Sequence, residues 1–275
     1  MQDHQVAERD ASADRPRNSR PGFDIRFPSA DEAVAQDEEW CEVTVDGEVR
    51  RIRFHDYHEV YAVPGLYEQL FYEEFECQSP TVIRDLFSEQ LERTGADPSE
   101  LVVLDVGAGN GMIAEELQRI GAGSMVGVDI IDEAGEAAER DRPGVYEEYF
   151  VLDLTRIPDG ARAKLEAKGF NCLTSVAALD FGDIPPRAFA EAYNFVSDDG
   201  WIAFTIKEDF LSPREDDTGF SQLIRRMMNQ GALELLGNRR YRHRLSMTRE
   251  PLHYMAIVAR KQSDVPLSWT EDLND

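Results

Sequence analysis

Apolar and polar residues alternate from Cys41 to Val45, pause at Asp46-Gly47, and resume through Val49, Ile52 and Phe54. Asp-Gly between two alternating runs predicts a β-hairpin with a two-residue turn. Residues 65 to 95 carry helical spacing, with Leu66, Leu70, Phe71 and Phe75, then Val82, Ile83, Leu86, Phe87 and Leu91. Between these groups Ser79-Pro80 reads as an N-cap followed by proline at the first helical position. From Leu101 the pattern changes. Short apolar runs at 101–106, 124–129, 146–154, 170–179 and 201–206 are separated by helical segments such as the one with Phe189, Ala192, Tyr193 and Val196. Strands alternating with helices predict an α/β chain with a doubly wound sheet. Two further runs, Tyr241–Met247 and Leu252–Arg260, read as closing strands.

The first of these runs ends in chemistry. Asp105 stands near the end of the strand, and Gly107-Ala108-Gly109-Asn110-Gly111 follows before a helix opens with Met112, Ile113 and Leu117 apolar. A strand, a glycine turn and a helix N-terminus present bare backbone N–H groups to a ligand. A dinucleotide-binding turn would space its glycines Gly-x-Gly-x-x-Gly, but position 112 is Met112. The second run ends in Asp129, placed to accept hydrogen bonds from a ribose diol. Asp129 also reads as a helix N-cap, although Asp132 is the better cap. The third run ends in Asp153-Leu154, a fair turn initiator before Thr155. Ala177, at the C-terminal end of the fourth run, faces the same crevice.

The Asp-x-Gly-x-Gly-x-Gly pattern, with Asp129 and Asp153 ending the next two runs, resembles the class I S-adenosylmethionine-dependent methyltransferases. More loosely, PGVYEEYFVLDL and AALDFGDIPPRAFAEAYNFV resemble the small-molecule-type branch that includes the Williams–Beuren region methyltransferase-like proteins. The resemblance covers about 80–260. It implies a Rossmann-like seven-stranded doubly wound sheet with the last strand antiparallel, and S-adenosyl-L-methionine as cofactor. It places Asp105 and the turn Gly107, Ala108, Gly109, Asn110 and Gly111 at the amino-acid end of the cofactor. Asp129 would hold the ribose, Ile130 would lie against the adenine, and Asp153 and the Leu154 N–H would meet the adenine edge. Asp198-Asp199-Gly200 before Trp201 replaces the family's Pro-Gly-Gly turn.

Organisation and charge narrow the function further. The expected divisions are an acidic, disordered or loosely packed segment at 1–40, a hairpin and helical lid at 41–95, the cofactor domain at 96–262, and a tail at 263–275. The 54 acidic residues against 29 basic ones give a net charge of −25, which disfavours nucleic acid and anionic lipid as partners. The same acidity suits a protein kept soluble in high salt, a halophile reading. Arg239, Arg240, Arg242 and Arg244 alternate in a closing strand, as charge balance on an exposed face. No apolar run approaches the roughly 20 residues that span a bilayer, and the first 20 residues lack a signal-peptide core, so a cytoplasmic protein is expected. Cys41, Cys77 and Cys172 are too scattered for a disulfide framework or a zinc site, and Cys172 reads as a small buried hydrophobe.

Methyl transfer from a sulfonium needs alignment first, and a base only if the acceptor must lose a proton. His55 and His58, in the segment before the first sheet strand, are candidate bases. Tyr57 and Tyr61 would close over the cofactor. Asp180 is the third catalytic candidate, and Asp183 lies beside it in the same stretch. His58 with Glu59 suggests a metal only weakly, because no further ligands have matching spacing. The expected activity is methyl transfer to a small-molecule acceptor, with a protein substrate second. The alternatives are a non-catalytic methyltransferase-fold binding partner and an NAD-dependent oxidoreductase.

Overall fold

A computed structural model describes residues 22–28, 34–179, 182–211, 218–271 and 273. In chain order its strands and helices are β1 (Ile25–Arg26), β2 (Trp40–Val45), β3 (Glu48–Arg53), α1 (Tyr57–Ala62), α2 (Leu66–Glu68), α3 (Ser79–Thr94), β4 (Val102–Val106), α4 (Met112–Arg119), β5 (Ser124–Asp129), α5 (Asp132–Asp141), β6 (Glu148–Val151), α6 (Asp159–Ala167), β7 (Cys172–Ser175), α7 (Pro186–Phe195), β8 (Trp201–Lys207), α8 (Phe220–Asn229), β9 (Leu233–Leu245) and β10 (Pro251–Lys261). Seven strands form one sheet in the order β6-β5-β4-β7-β8-β10-β9. All neighbours from β6 to β8 are parallel, and β10 runs antiparallel to both β8 and β9. The chain is therefore α/β, Rossmann-like and doubly wound, with its last strand antiparallel.

Strand periodicity explains the two-sided core. Val103, Met125, Cys172 and Ala203 face Ile83, Phe87 and Leu117 of α3 and α4. Their neighbours Leu104, Val126, Leu173 and Phe204 face Phe189 of α7 and Phe220 of α8. Successive residues point to opposite faces of a strand, so a sheet covered on both sides needs unbroken apolar runs. The strand order reverses between β4 and β7, and the carboxyl ends of the parallel strands open a crevice there.

Ahead of this sheet stands a smaller unit. β1, β2 and β3 form an antiparallel sheet, with Asp46 and Gly47 at φ 53° and 83° making the predicted turn. Cys41, Val43, Ile52 and Phe54 pack there against Val60, Leu66, Leu70 and Phe75. The disorder expected for 1–40 falls largely on 1–21 and 29–33, outside the described residues. Phe23, Ile25 and Phe27, within that segment, pack on this small core.

Three local expectations are corrected. The first helical group winds differently from expectation: α2 passes into a π-helical turn, Gln69–Glu74, and the chain leaves the helix until Ser79, where α3 starts with Pro80 in its first turn as the spacing predicts. Ser79 does not cap α3. Its Oγ lies 2.6 Å from Tyr241 Oη and 2.7 Å from His243 Nδ1, so buried polar groups on β9 compete it away from the helix N–H groups. The fourth strand is also shorter than its apolar run, ending at Ser175.

Candidate functional site

The glycine turn is gripped from below by tyrosines of the third strand region. Tyr146 Oη donates to Asp105 Oδ2 at 2.6 Å, and Tyr149 Oη donates to the Gly109 carbonyl at 2.9 Å. Thr174 Oγ1 donates to the other Asp105 oxygen at 2.7 Å. Asp105 is thus buried beneath the turn, and burial pushes its carboxyl up to about 6 against those two hydrogen bonds. A Cβ on Gly107 would come within 2.6 Å of Ala178 Cβ, and one on Gly109 would run into the Tyr61 hydroxyl. Both residues also hold positive φ, so only glycine fits this cradle.

Above the turn lies a cavity of about 210 Å³. The turn residues Gly107, Ala108, Gly109 and Asn110 line it, together with Asp129, Ile130, Asp153, Leu154 and Ala177. Those predicted positions are brought together. Asp105 and Gly111 are not on the wall: the first supports the turn, and the second is the αL residue from which α4 starts. Asp129 Oδ2 accepts from the Gly109 N–H at 2.9 Å, and Oδ1 accepts from the Ile130 and Ile131 N–H groups at 2.8 and 3.2 Å. Burial raises its carboxyl, and these backbone donors oppose the rise. α5 begins at Asp132, which does not cap it through its side chain. Asp153 Oδ1 accepts from the Thr155 hydroxyl and N–H, which hold its carboxyl below the usual range. Ala177 holds φ 55° while its N–H donates to Thr205 Oγ1 at 2.7 Å, a strained conformation for a residue with a Cβ.

The roof comes from the small unit. Tyr57, Tyr61, Tyr67 and Tyr72 line the cavity, with Tyr61 stacked on Tyr67 at 4.7 Å between centroids. The π turn explains the last of these. A repeat near five residues carries Tyr72 onto the face of Tyr67, where α-helical winding would turn it away. Burial raises the hydroxyls of Tyr61, Tyr67 and Tyr72, so they stay protonated. Arg140 Nη1 donates to the Tyr61 carbonyl at 3.0 Å, and Arg142 pairs with Glu68 at 2.7 Å, fastening the roof to α5.

His55 lies in the same wall, its Nδ1 3.2 Å from Asp183 Oδ2. His58 is exposed on α1 and does not line the cavity. Asp180 lies outside the described residues. Tyr67, Tyr72 and Ile184 were missed. The only sequence signal for the tyrosines was their density before the first sheet strand, which pointed to Tyr57 and Tyr61 alone.

The wall fits an adenosyl sulfonium. Asn110 Oδ1 is buried without a partner, and Ile130, 63% exposed, offers an apolar face at the rim. Among the described lining residues Asp129, Asp153 and Asp183 are acidic and none is Lys or Arg, a set that favours a cation. No cluster of potential metal ligands occurs among the described residues, and no described helix is long and apolar enough to cross a membrane.

A family model described as a methyltransferase domain matches residues 77–253. The mitochondrial ubiquinone biosynthesis O-methyltransferase of Candida albicans is 30% identical over 118 residues, 42% of this chain and 35% of that enzyme. The chain therefore spans little more than a third of that relative's length. The N-methyltransferase NodS of Bradyrhizobium japonicum WM9, solved with S-adenosyl-L-homocysteine, superposes with a TM-score of 0.51 at 12% identity, over 76% of this chain and 97% of that one. The magnesium protoporphyrin IX methyltransferase of Synechocystis PCC 6803, solved with S-adenosylmethionine, gives 0.45 at 13% identity, over 66% and 79%. A domain match running from the start of α3 into β10 covers most of the sheet and its glycine turn. The chain belongs to the class I S-adenosylmethionine-dependent methyltransferases.

Proposed function

We propose that this methyltransferase acts on a small-molecule acceptor that gives up a proton, with His55 as the base. The observation that carries this reading is the His55–Asp183 pair in the cavity wall. A carboxylate accepting from Nδ1–H fixes the imidazole's orientation and leaves Nε2 with a lone pair for a proton. His55 follows β3 and Asp183 precedes α7, so the pair forms only where the small unit meets the sheet. Bound S-adenosylmethionine supplies a methyl group activated by its sulfonium.

The chain's own residues bind and align. Two carboxylate oxygens offer about four acceptor positions. Asp129 commits three of these to backbone N–H groups and keeps capacity for a ribose hydroxyl. Ile130 would cover the adenine face, with Asp153 and the Leu154 N–H at its edge. Asn110 and the turn would meet the amino-acid end, above the buried Asp105. The tyrosine roof presents ring faces and O–H donors to the cavity.

The test measures S-adenosylhomocysteine release with a panel of small hydroxylated and amino compounds. His55→Gln should lower the rate by about 10²–10⁴-fold, the usual range for a lost general base. Its affinity for S-adenosylhomocysteine should stay unchanged. A full rate in the variant would remove His55 from the chemistry. Methylation of proteins but of no small compound would refute the acceptor class.

A further inference from the structure

Beside the main cavity lies a second one of about 30 Å³, sharing His55, Tyr57, Tyr67 and Ala177 with it. It reaches between the small unit and strands β9 and β10. We infer that this recess is a recognition subsite for a second polar group of the acceptor, an uncharged hydroxyl or N–H that donates a hydrogen bond to Gln36. The inference rests on the small-molecule reading above and specifies the acceptor's far end.

Gln36 carries the argument. Its Nε2 donates to Tyr254 Oη at 3.1 Å, while its buried Oε1 has no partner. A buried acceptor left without a donor is costly, so a donor is expected when the site is filled. Neighbouring polar groups in the recess are already engaged. His243 Nδ1 lies 2.7 Å from Ser79 Oγ, and Arg244 donates to Glu39 Oε2 at 2.6 Å and to the Leu245 carbonyl at 2.9 Å.

Charge and shape restrict the ligand further. The Arg244 guanidinium is matched by the Glu39 carboxylate, both buried. Burial and the adjacent Arg244 push His243 well below its ordinary range, so it is neutral. An ionic group entering here would meet no counter-charge. The walls are ring faces, with Phe71 and Tyr67 on one side and Tyr254 stacked on His243 at 4.1 Å. A space of 30 Å³ holds one or two water-sized groups, hence a hydroxyl or amino group but not a ring. The acceptor then carries its reacting group near His55 and a separate, uncharged donor that reaches Gln36 between ring faces.

The test uses the full chain saturated with S-adenosylhomocysteine, and two probes of matched shape. Resorcinol carries a second donor, whereas 3-fluorophenol replaces it with fluorine. Resorcinol should bind about tenfold more tightly, as calorimetry or ligand-observed NMR would read it. Gln36→Leu should abolish the preference while keeping 3-fluorophenol binding and cofactor affinity. Equal binding of the two probes means that water alone fills the recess, and overturns the proposal. So does a preference that survives in Gln36→Leu, or no binding of resorcinol to the loaded protein. Failure of the wild type to bind S-adenosylhomocysteine would instead refute the cofactor site.

Discussion

Glu39 and Arg244 form a buried ion pair across the joint between the small unit and β9, with Nη2 and Oε2 2.6 Å apart and side chains only 3% exposed each. Glu39 Oε1 also accepts from the Met247 N–H at 2.5 Å. Removing one member of such a pair leaves an uncompensated charge, at a cost of about 3–5 kcal/mol. Glu39→Gln should therefore destabilise the protein by that amount. At about 2 °C per kcal/mol for a chain of this size, Tm should fall by roughly 6–10 °C. The double variant Glu39→Leu/Arg244→Met, which removes both charges at once, should recover most of the loss. Thermal unfolding followed by circular dichroism at one fixed pH and salt concentration reads both effects. Because the pair clamps the unit that carries His55 and the tyrosines, Glu39→Gln should also weaken S-adenosylhomocysteine binding. A Tm within 1 °C of wild type, or a double variant no better than the single one, would show that the joint does not depend on this pair.

Three further outcomes follow from the site and the core. Asp129→Ala should weaken S-adenosylhomocysteine binding by about 1–3 kcal/mol in calorimetry, since it removes a charged acceptor and frees the Gly109 N–H; unchanged affinity would take Asp129 out of the site. Burial raises Asp105 from 3.8 to about 6, so the fold holds its proton more tightly than the unfolded chain does. That contribution is fully present below about pH 4 and is lost as pH rises through 6. Asp105→Asn should therefore gain between about 1 and 2 kcal/mol on wild type from pH 5 to 7.5 in urea titrations; a constant difference would contradict it. Lys261, the last residue of β10, is buried against the C-terminal end of α7, where it donates to the carbonyls of Tyr193, Asn194 and Val196 and pairs with Asp264. Lys261→Met should cost about 3 kcal/mol, visible as a lower Tm, because it strands those helix-end carbonyls.

The sheet was legible because a strand covered on both faces must be apolar throughout, and the runs at Leu101, Ser124 and Trp201 obey that rule. Asp129, Ile130, Asp153, Leu154 and Ala177 could be placed for a related reason: the topology sends every parallel strand end to one crevice. Asp105 was harder. Its position in the motif identifies it, but only Tyr146 and Thr174, 41 and 69 residues away, show it to be a support under the turn rather than part of the wall. The closing-strand arginines were expected on an exposed face. Arg239, Arg240 and Arg242 do pair there with Glu89, Glu208 and Glu76, yet Arg244 turns inward to Glu39. A strand's alternation cannot announce that partner, which lies some two hundred residues earlier.

What the sequence left open concentrates where the small unit meets the sheet, and that is where acceptor chemistry would be decided. His55 and His58 are equivalent candidates by residue type and sit three apart. One helical turn separates their fates: His55, just before α1, points to Asp183, whereas His58 lies on the exposed side of α1. The tyrosine roof depends on a π turn, which raises the number of residues per turn without any distinctive residue to mark it. Strain at Ala177 is equally silent, since its left-handed backbone is held by the distant Thr205 hydroxyl and not by its own side chain. The proposed cofactor positions are therefore encoded locally, at strand ends, while the proposed base, the roof and the recess are encoded by docking. A substitution that loosens the docking, such as Glu39→Gln, should consequently impair acceptor turnover more than cofactor binding.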